Sequence, residues 1–81
     1  MKLVVQLFAR ARDLAGAERV ELTVPDAARV ADLRKELGAR FPRLAPVLSN
    51  LLVAVDTSYA GDDAVLAPGC EVACFPPVSG G

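Results

Sequence analysis

The chain has 81 residues, 53% of them hydrophobic and 23% charged, with a net charge of −1 and no histidine. Such a length gives one domain near the small end of what folds alone, and the apolar fraction supplies a core without staples. The near-zero charge argues against nucleic acid or an anionic membrane as the main partner, the lack of histidine removes the commonest general base and metal ligand, and no apolar run reaches membrane-spanning length.

Lys2 to Arg10 alternates. Leu3, Val5, Leu7 and Ala9 fall on one face, and Val4 and Phe8 on the other, an unusual place for a large aromatic. Ala11 to Gly16 reads as a short connection with Leu14 as an apolar plug. Glu18 to Val24 alternates again with Val20, Leu22 and Val24 inward, so the first two strands form an antiparallel hairpin with a long loop. Pro25-Asp26 ends the second strand. Val30, Leu33, Leu37 and Phe41 then recur at helical spacing, predicting a helix from about Arg29 to Arg40. Its charged face, Arg34, Lys35 and Glu36, reads as solvated, with Asp26 as a cap and Asp32 in the first turn. Gly38 weakens the last turn and Phe41-Pro42 stops it.

Pro42 to Asn50 reads as a loop with one helical turn after Pro46. Leu51 to Val55 is a continuous apolar run, expected to be a central strand covered on both sides. Asp56-Thr57-Ser58 turns into a brief strand at Tyr59-Ala60, and Ala64 to Leu66 reads as a helical turn. Pro68-Gly69 is a tight turn before a last strand, Cys70 to Phe75, with Val72 and Cys74 inward and Phe75 outward. One main helix on one face of a mixed sheet of four to five strands is an α+β roll. If the last strand pairs with the first in mid-sheet, Phe8 and Phe75 share its open face and Val4 and Tyr59 extend the patch. The alternative is that these rings belong to a core read one register step off. Cys70 and Cys74, about 13 Å apart if they share one strand, cannot bond each other and read as buried thiols in a reducing compartment. A cytoplasmic protein without a targeting segment is expected.

The domain is expected to span 1–75, with 76–81 as an extended tail. Pro76 and Pro77 lack backbone donors and favour an extended path. The six residues Pro76 to Gly81 reach at most roughly 20 Å, enough to enter a deep pocket on another protein. Gly80 and Gly81 lack Cβ atoms, so they fit a narrow channel and leave the last carbonyl open to attack. The Gly81 carboxylate, with a pKa near ~3.5, is ionised at neutral pH and can attack an activated phosphate. It is the candidate reactive group.

At this point the residues match a known pattern. The ending Phe75-Pro76-Pro77-Val78-Ser79-Gly80-Gly81 resembles the C-terminus of the molybdopterin synthase small subunits. Phe8-Ala9-Arg10 with Arg12, Leu14 and Gly16, and Val30-Ala31-Asp32-Leu33, are similar to that family's first strand and helix start. Asp56-Thr57-Ser58 departs from it, since Asn-Gly-like residues are common there.

The resemblance implies a ubiquitin-like β-grasp fold and a sulfur carrier. A ubiquitin-activating-type enzyme adenylates the Gly81 carboxylate with ATP. A sulfur donor protein converts it to a thiocarboxylate. The tail then enters the synthase large subunit and gives sulfur to cyclic pyranopterin monophosphate, forming the molybdopterin dithiolene. The small subunit alone is non-catalytic, binds no cofactor and pairs with the large subunit as a heterotetramer of two small and two large chains. Pro76, Pro77, Val78, Ser79 and Gly80 line the partner's channel, and Phe8, Phe75 and Tyr59 form the docking face. Arg10 and Arg12 either pair with acidic partner residues or are solvated. The rival readings are a carrier for thiazole synthesis or tRNA thiolation, a ubiquitin-like modifier joined through Gly81 to lysines, and a plain interaction domain. Phe75-Pro76-Pro77 argues against the thiazole carrier, whose tail usually lacks the double proline.

Overall fold

A computed structural model describes residues 1–77. The order is β1 (Lys2–Leu7), α1 (Ala9–Ala15), β2 (Arg19–Thr23), α2 (Val30–Arg40), a 3-10 turn (Pro42–Leu44), α3 (Ala45–Leu48), β3 (Leu52–Val55), β4 (Ser58–Tyr59) and β5 (Val72–Phe75). The strands form one five-stranded sheet in the order β2-β1-β5-β3-β4. β5 is its centre, parallel to β1 and antiparallel to β3. A parallel central pair between the first and last strands, with α2 crossing one face, is the β-grasp arrangement.

Strand alternation fixes the layers. Leu3, Val5, Leu7, Val20, Leu22, Val53, Val72 and Cys74 point to the inner face and pack with Val30, Leu33 and Leu37 of α2. Cys70 and Cys74 are both buried, free thiols. Among the described residues the other face of the sheet carries no helix of the core, and Val4, Phe8, Leu52 and Tyr59 are exposed there.

Several local expectations are corrected. The first strand stops at Leu7, and the supposed connection is the helix α1. Ala, Arg and Leu are good helix formers, and Ala11, Leu14 and Ala15 turn one side toward the core. Ala9 therefore lies exposed in α1, not inside. Gly16 closes the helix in the left-handed region, φ 76°, with its N–H on the Arg12 carbonyl.

Asp26 does not cap α2. It pairs with the Met1 ammonium at 3.4 Å, while Asp32 accepts from the Arg29 backbone N–H at 2.9 Å. Arg34 is not merely solvated, as shown below. Gly38 leaves room for the Leu48 side chain, whose end would have to shift to admit a Cβ there. Pro42 to Leu48 is helical rather than loop, a 3-10 turn running into α3. Val65 is extended and bridges to Arg29, so 64–66 is not a helical turn. β3 lies beside the edge strand β4, and its Leu52 faces outward at 41% exposure.

Candidate functional site

The site is the open face around the end of β5. Phe75 ends the central strand. On one side Phe8 stacks on it, ring centroids 4.7 Å apart and planes at 12°. On the other side Leu52 is its register partner. The Phe8 placement has a backbone cause. Its N–H donates to the Cys74 carbonyl at 3.2 Å, so it continues the β1–β5 pairing by one residue. The next residue, Ala9, turns into the left-handed region at φ 52° and starts α1. The ring is thus held on the sheet while the chain leaves it.

The face continues through Ala73 and Ala54, which are register partners, to Tyr59, which pairs with Ala54. Two alanines between two aromatic residues leave an open hollow of roughly 340 Å³, floored by Ala54 and Ala73 and flanked by Tyr59, Phe75 and Glu71. Tyr59 is 75% exposed and Phe8 39%, and Phe75 is half-buried. Val4 belongs to the same face, two positions from Gln6, which is paired with Ala73. The outward placing of Phe8, Phe75, Tyr59 and Val4 therefore holds, and the misregistered-core alternative does not.

Leu52 is the residue that sequence reasoning missed. Inside Leu51-Leu52-Val53-Ala54-Val55 no polar residue marks the alternation, so only pairing with Phe75 reveals its face. Arg12 extends from α1 beside Phe8 and sits 3.6 Å from the neighbouring Asp13 carboxylate. Arg10 is exposed on the same helix.

Of the tail, Pro76 is half-buried and Pro77 exposed. Val78, Ser79, Gly80 and Gly81, which carry the expected reactive end, lie outside the described residues. Beneath the sheet, burial pushes the Cys74 thiol up to about 11, with the Arg34 charge opposing weakly. Burial, and secondarily the Asp56 charge, also raises Cys70. Both thiols stay protonated near neutrality. Among the described residues no cluster of three or more His, Cys, Asp or Glu side chains is placed to hold a metal ion, and no helix is long and apolar enough to cross a membrane.

This geometry leaves an apolar patch of five side chains, Val4, Phe8, Leu52, Tyr59 and Phe75, on one face of the sheet around the end of β5. A match to the ThiS family model spans residues 5–81. The chain belongs to the ThiS family. Among its relatives, the molybdopterin synthase sulfur carrier subunit of Arabidopsis thaliana is 36% identical, covering 100% of this chain and 84% of the relative. The protein of the same name from Escherichia coli K12 is 39% identical over 95% of this chain and 96% of its own. Among solved structures, SAMP1 from Haloferax volcanii superposes with a TM-score of 0.88 at 30% identity, covering 100% of both chains. This ThiS-family chain therefore has the ubiquitin-like β-grasp fold that the resemblance implied.

Proposed function

We propose that this ThiS-family chain is the sulfur carrier subunit of a molybdopterin synthase. The observation that carries the reading is the near end-to-end match, at 36–39% identity, to proteins bearing that name, together with the Phe75-Pro76-Pro77-Val78-Ser79-Gly80-Gly81 ending. The apolar patch supports it physically, since a carrier that visits two enzymes in turn needs one reusable docking surface.

In this reading one Gly81 carboxylate oxygen attacks the α-phosphate of ATP on a ubiquitin-activating-type enzyme, and pyrophosphate leaves. Adenylation is needed because a carboxylate is a poor acyl donor. A persulfide on a donor protein attacks the acyl carbon and AMP leaves; a second protein thiol then attacks the donor-side sulfur of the resulting acyl disulfide, forming a protein disulfide and releasing the thiocarboxylate. The tail, Pro76 to Gly80, then threads the synthase large subunit, and the sulfur is delivered to cyclic pyranopterin monophosphate. ATP belongs to the activating enzyme and the catalytic side chains to the large subunit. Assembly with the large subunit as a heterotetramer, and a cytoplasmic location, belong to the same reading.

The test is intact-mass spectrometry after incubation with activating enzyme, ATP and sulfur donor. Exchange of oxygen for sulfur at the C-terminus adds about 16 Da, as acyl activation followed by sulfur attack requires. An unchanged mass with demonstrably competent partners sinks the proposal. A second reading is supported by the likeness to the Haloferax volcanii protein, whose name is small archaeal modifier protein 1. A modifier shares the adenylation step but ends as an amide on another protein's lysine, so conjugates resistant to thiols would favour it.

A further inference from the structure

We infer that Arg34 is a positioning residue for partner docking: its guanidinium closes the sheet where β4 stops and so holds Leu52 in place beside Phe75 on the exposed patch. The docking consequence rests on the carrier reading. The placement of Leu52 by Arg34 does not.

The start of β3 needs something to close it. β4 has only two residues, and they pair with Ala54 and Val55 at the far end of β3. Ala60 adds one bond, its N–H on the Val53 carbonyl at 2.9 Å. No described strand continues the pairing along Leu51 and Leu52 on that side. On the other side Leu52 is the register partner of Phe75, the last pair between β3 and β5. A strand end held along one edge frays. Leu51 is also buried, so its carbonyl needs a donor from the protein.

Arg34 supplies it from α2. Its Nη1 donates to the Leu51 carbonyl at 2.9 Å and to the Leu48 carbonyl at 2.7 Å. The Leu51 carbonyl belongs to the rigid peptide unit that carries Leu52, so this bond fixes the plane from which the Leu52 side chain projects. Nη2 and Nε reach one Asp62 carboxylate oxygen, at 3.1 and 3.3 Å. Asp62 is held a second time, its backbone carbonyl accepting the Ala31 N–H at 3.0 Å. One side chain thus ties both the start of β3 and the chain leaving β4 to the helix. The planar fork makes this possible, because its donors point to separate acceptors at once. A lysine ammonium gathers its donors on one atom and does not span them.

The patch lies directly outside this clamp. Leu52 and Tyr59 flank a hollow of about 360 Å³ that is lined also by Arg34 and Asp62. The guanidinium itself is mostly covered, at 19% exposure, so it acts through Leu52 and not as a contact of its own. Phe8 is fixed independently, on the β1 side of β5, by its N–H on the Cys74 carbonyl. Anchors already in place cost less ordering when a partner binds. Loss of the clamp should therefore be felt at Leu52 and not at Phe8.

The test begins with amide hydrogen exchange of the free, full-length protein. Arg34→Lys keeps the charge and loses the fork; Arg34→Gln serves as a second variant. Exchange at Leu52, Ala54 and Phe75 should quicken at least about tenfold more than at Leu3, Val5 and Leu22, because local opening adds to any global loss. Asp62→Asn leaves the carbonyl bonds in place and should keep both sets near wild-type rates. In the wild type, which needs no substitution, the Arg34 Nε–H should exchange more slowly than those of the exposed Arg10 and Arg40. An equal change at both sets of amides, or an Arg34 Nε–H as fast as the exposed ones, overturns the inference.

Titration calorimetry with the activating enzyme then reads the consequence. Arg34→Lys should weaken binding about five- to tenfold as the anchor loses its preset position. In that background Leu52→Ala should cost less than half the factor it costs in the wild type, whereas Phe8→Ala should cost the same in both, since only coupled residues depart from additivity. Additive effects of Arg34→Lys and Leu52→Ala overturn the docking role. Failure of the carrier reading shows separately, as wild-type protein that neither binds a competent activating enzyme nor gains sulfur, and the exchange result is unaffected by it.

Discussion

Phe8 and Phe75 stack at 4.7 Å between strand ends that are adjacent in the sheet but lie at opposite ends of the sequence. The pair is worth about 0.5–1.5 kcal/mol beyond its buried area. Because both rings face outward, their larger effect is expected on partners. Phe8→Ala should cost about 1 kcal/mol of stability, a fall in Tm of roughly 4–8 °C for a domain this size. Titration calorimetry with the activating enzyme or the large subunit should show affinity reduced by about 30-fold or more, the effect of losing a central aromatic anchor. A large stability loss with unchanged affinity would return the ring to a structural role.

The β3–β4 loop carries strain that one substitution should relieve. Its two residues, Asp56 and Thr57, both lie in the left-handed region, at φ 49° and 70°. A two-residue hairpin of this kind favours Asn-Gly, and a β-branched residue there costs of order 1–2 kcal/mol. Thr57→Gly should raise stability by about 0.5–1 kcal/mol after the extra chain entropy of glycine is subtracted. Asp56 has a second task, accepting the Glu71 backbone N–H at 2.9 Å. Asp56→Gly should therefore gain nothing, since it frees the loop while losing that bond. Thermal melts of the two variants decide this, and a lower Tm for Thr57→Gly contradicts the strain argument.

Period-2 alternation made β1, β2 and β5 legible, and with them the outward rings of the site. It failed where no polar residue breaks the pattern, so Leu52 was hidden in an apolar run and its strand, which does lie inside the sheet, was read as covered on both sides. It also failed at α1, because Phe8-Ala9-Arg10 prolongs the alternation of β1. A left-handed Ala9, φ 52°, ends the strand instead, and nothing in an alanine announces that conformation. The Arg34 contacts were illegible for a different reason. Two of them go to the backbone carbonyls of Leu48 and Leu51, which carry no side-chain signature, and the third partner, Asp62, is 28 residues away.

Arg34 is the most extensively bonded side chain of α2. Its guanidinium donates to the carbonyls of Leu48 at 2.7 Å and Leu51 at 2.9 Å, and pairs with Asp62 at 3.1 Å. It thus ties the helix to the segment that leads into β3 and to the turn after β4. Two of the bonds are part-buried and charge-assisted, a class worth about 1.5–3 kcal/mol each. Arg34→Met should cost roughly 2–4 kcal/mol in urea unfolding, whereas Asp62→Asn, at an exposed pair, should cost under ~1 kcal/mol. Similar costs for both would mean that the ion pair, not the carbonyl contacts, dominates.

Cys74 makes stability depend on alkaline pH. Burial raises its thiol from 9.0 to about 11, so the folded state holds this proton more tightly than the unfolded chain does. The sign follows from linkage. The contribution is fully present below about pH 9 and is lost as pH rises through about 11, a total of roughly 3 kcal/mol at ~1.4 kcal/mol per unit. Cys70 is shifted in the same direction and adds to the same trend. Stability measured by urea titration should be flat from near neutrality to about pH 8.5 and then fall, with the fall reduced in Cys74→Ala. At neutral pH a thiol reagent should label Cys74 only as fast as the protein opens, because the side chain is 1% exposed and the thiolate is the reactive form. Rapid labelling of the native protein would show the thiol to be accessible. In a carrier that meets persulfides, such a thiol would compete with the terminal carboxylate for sulfur.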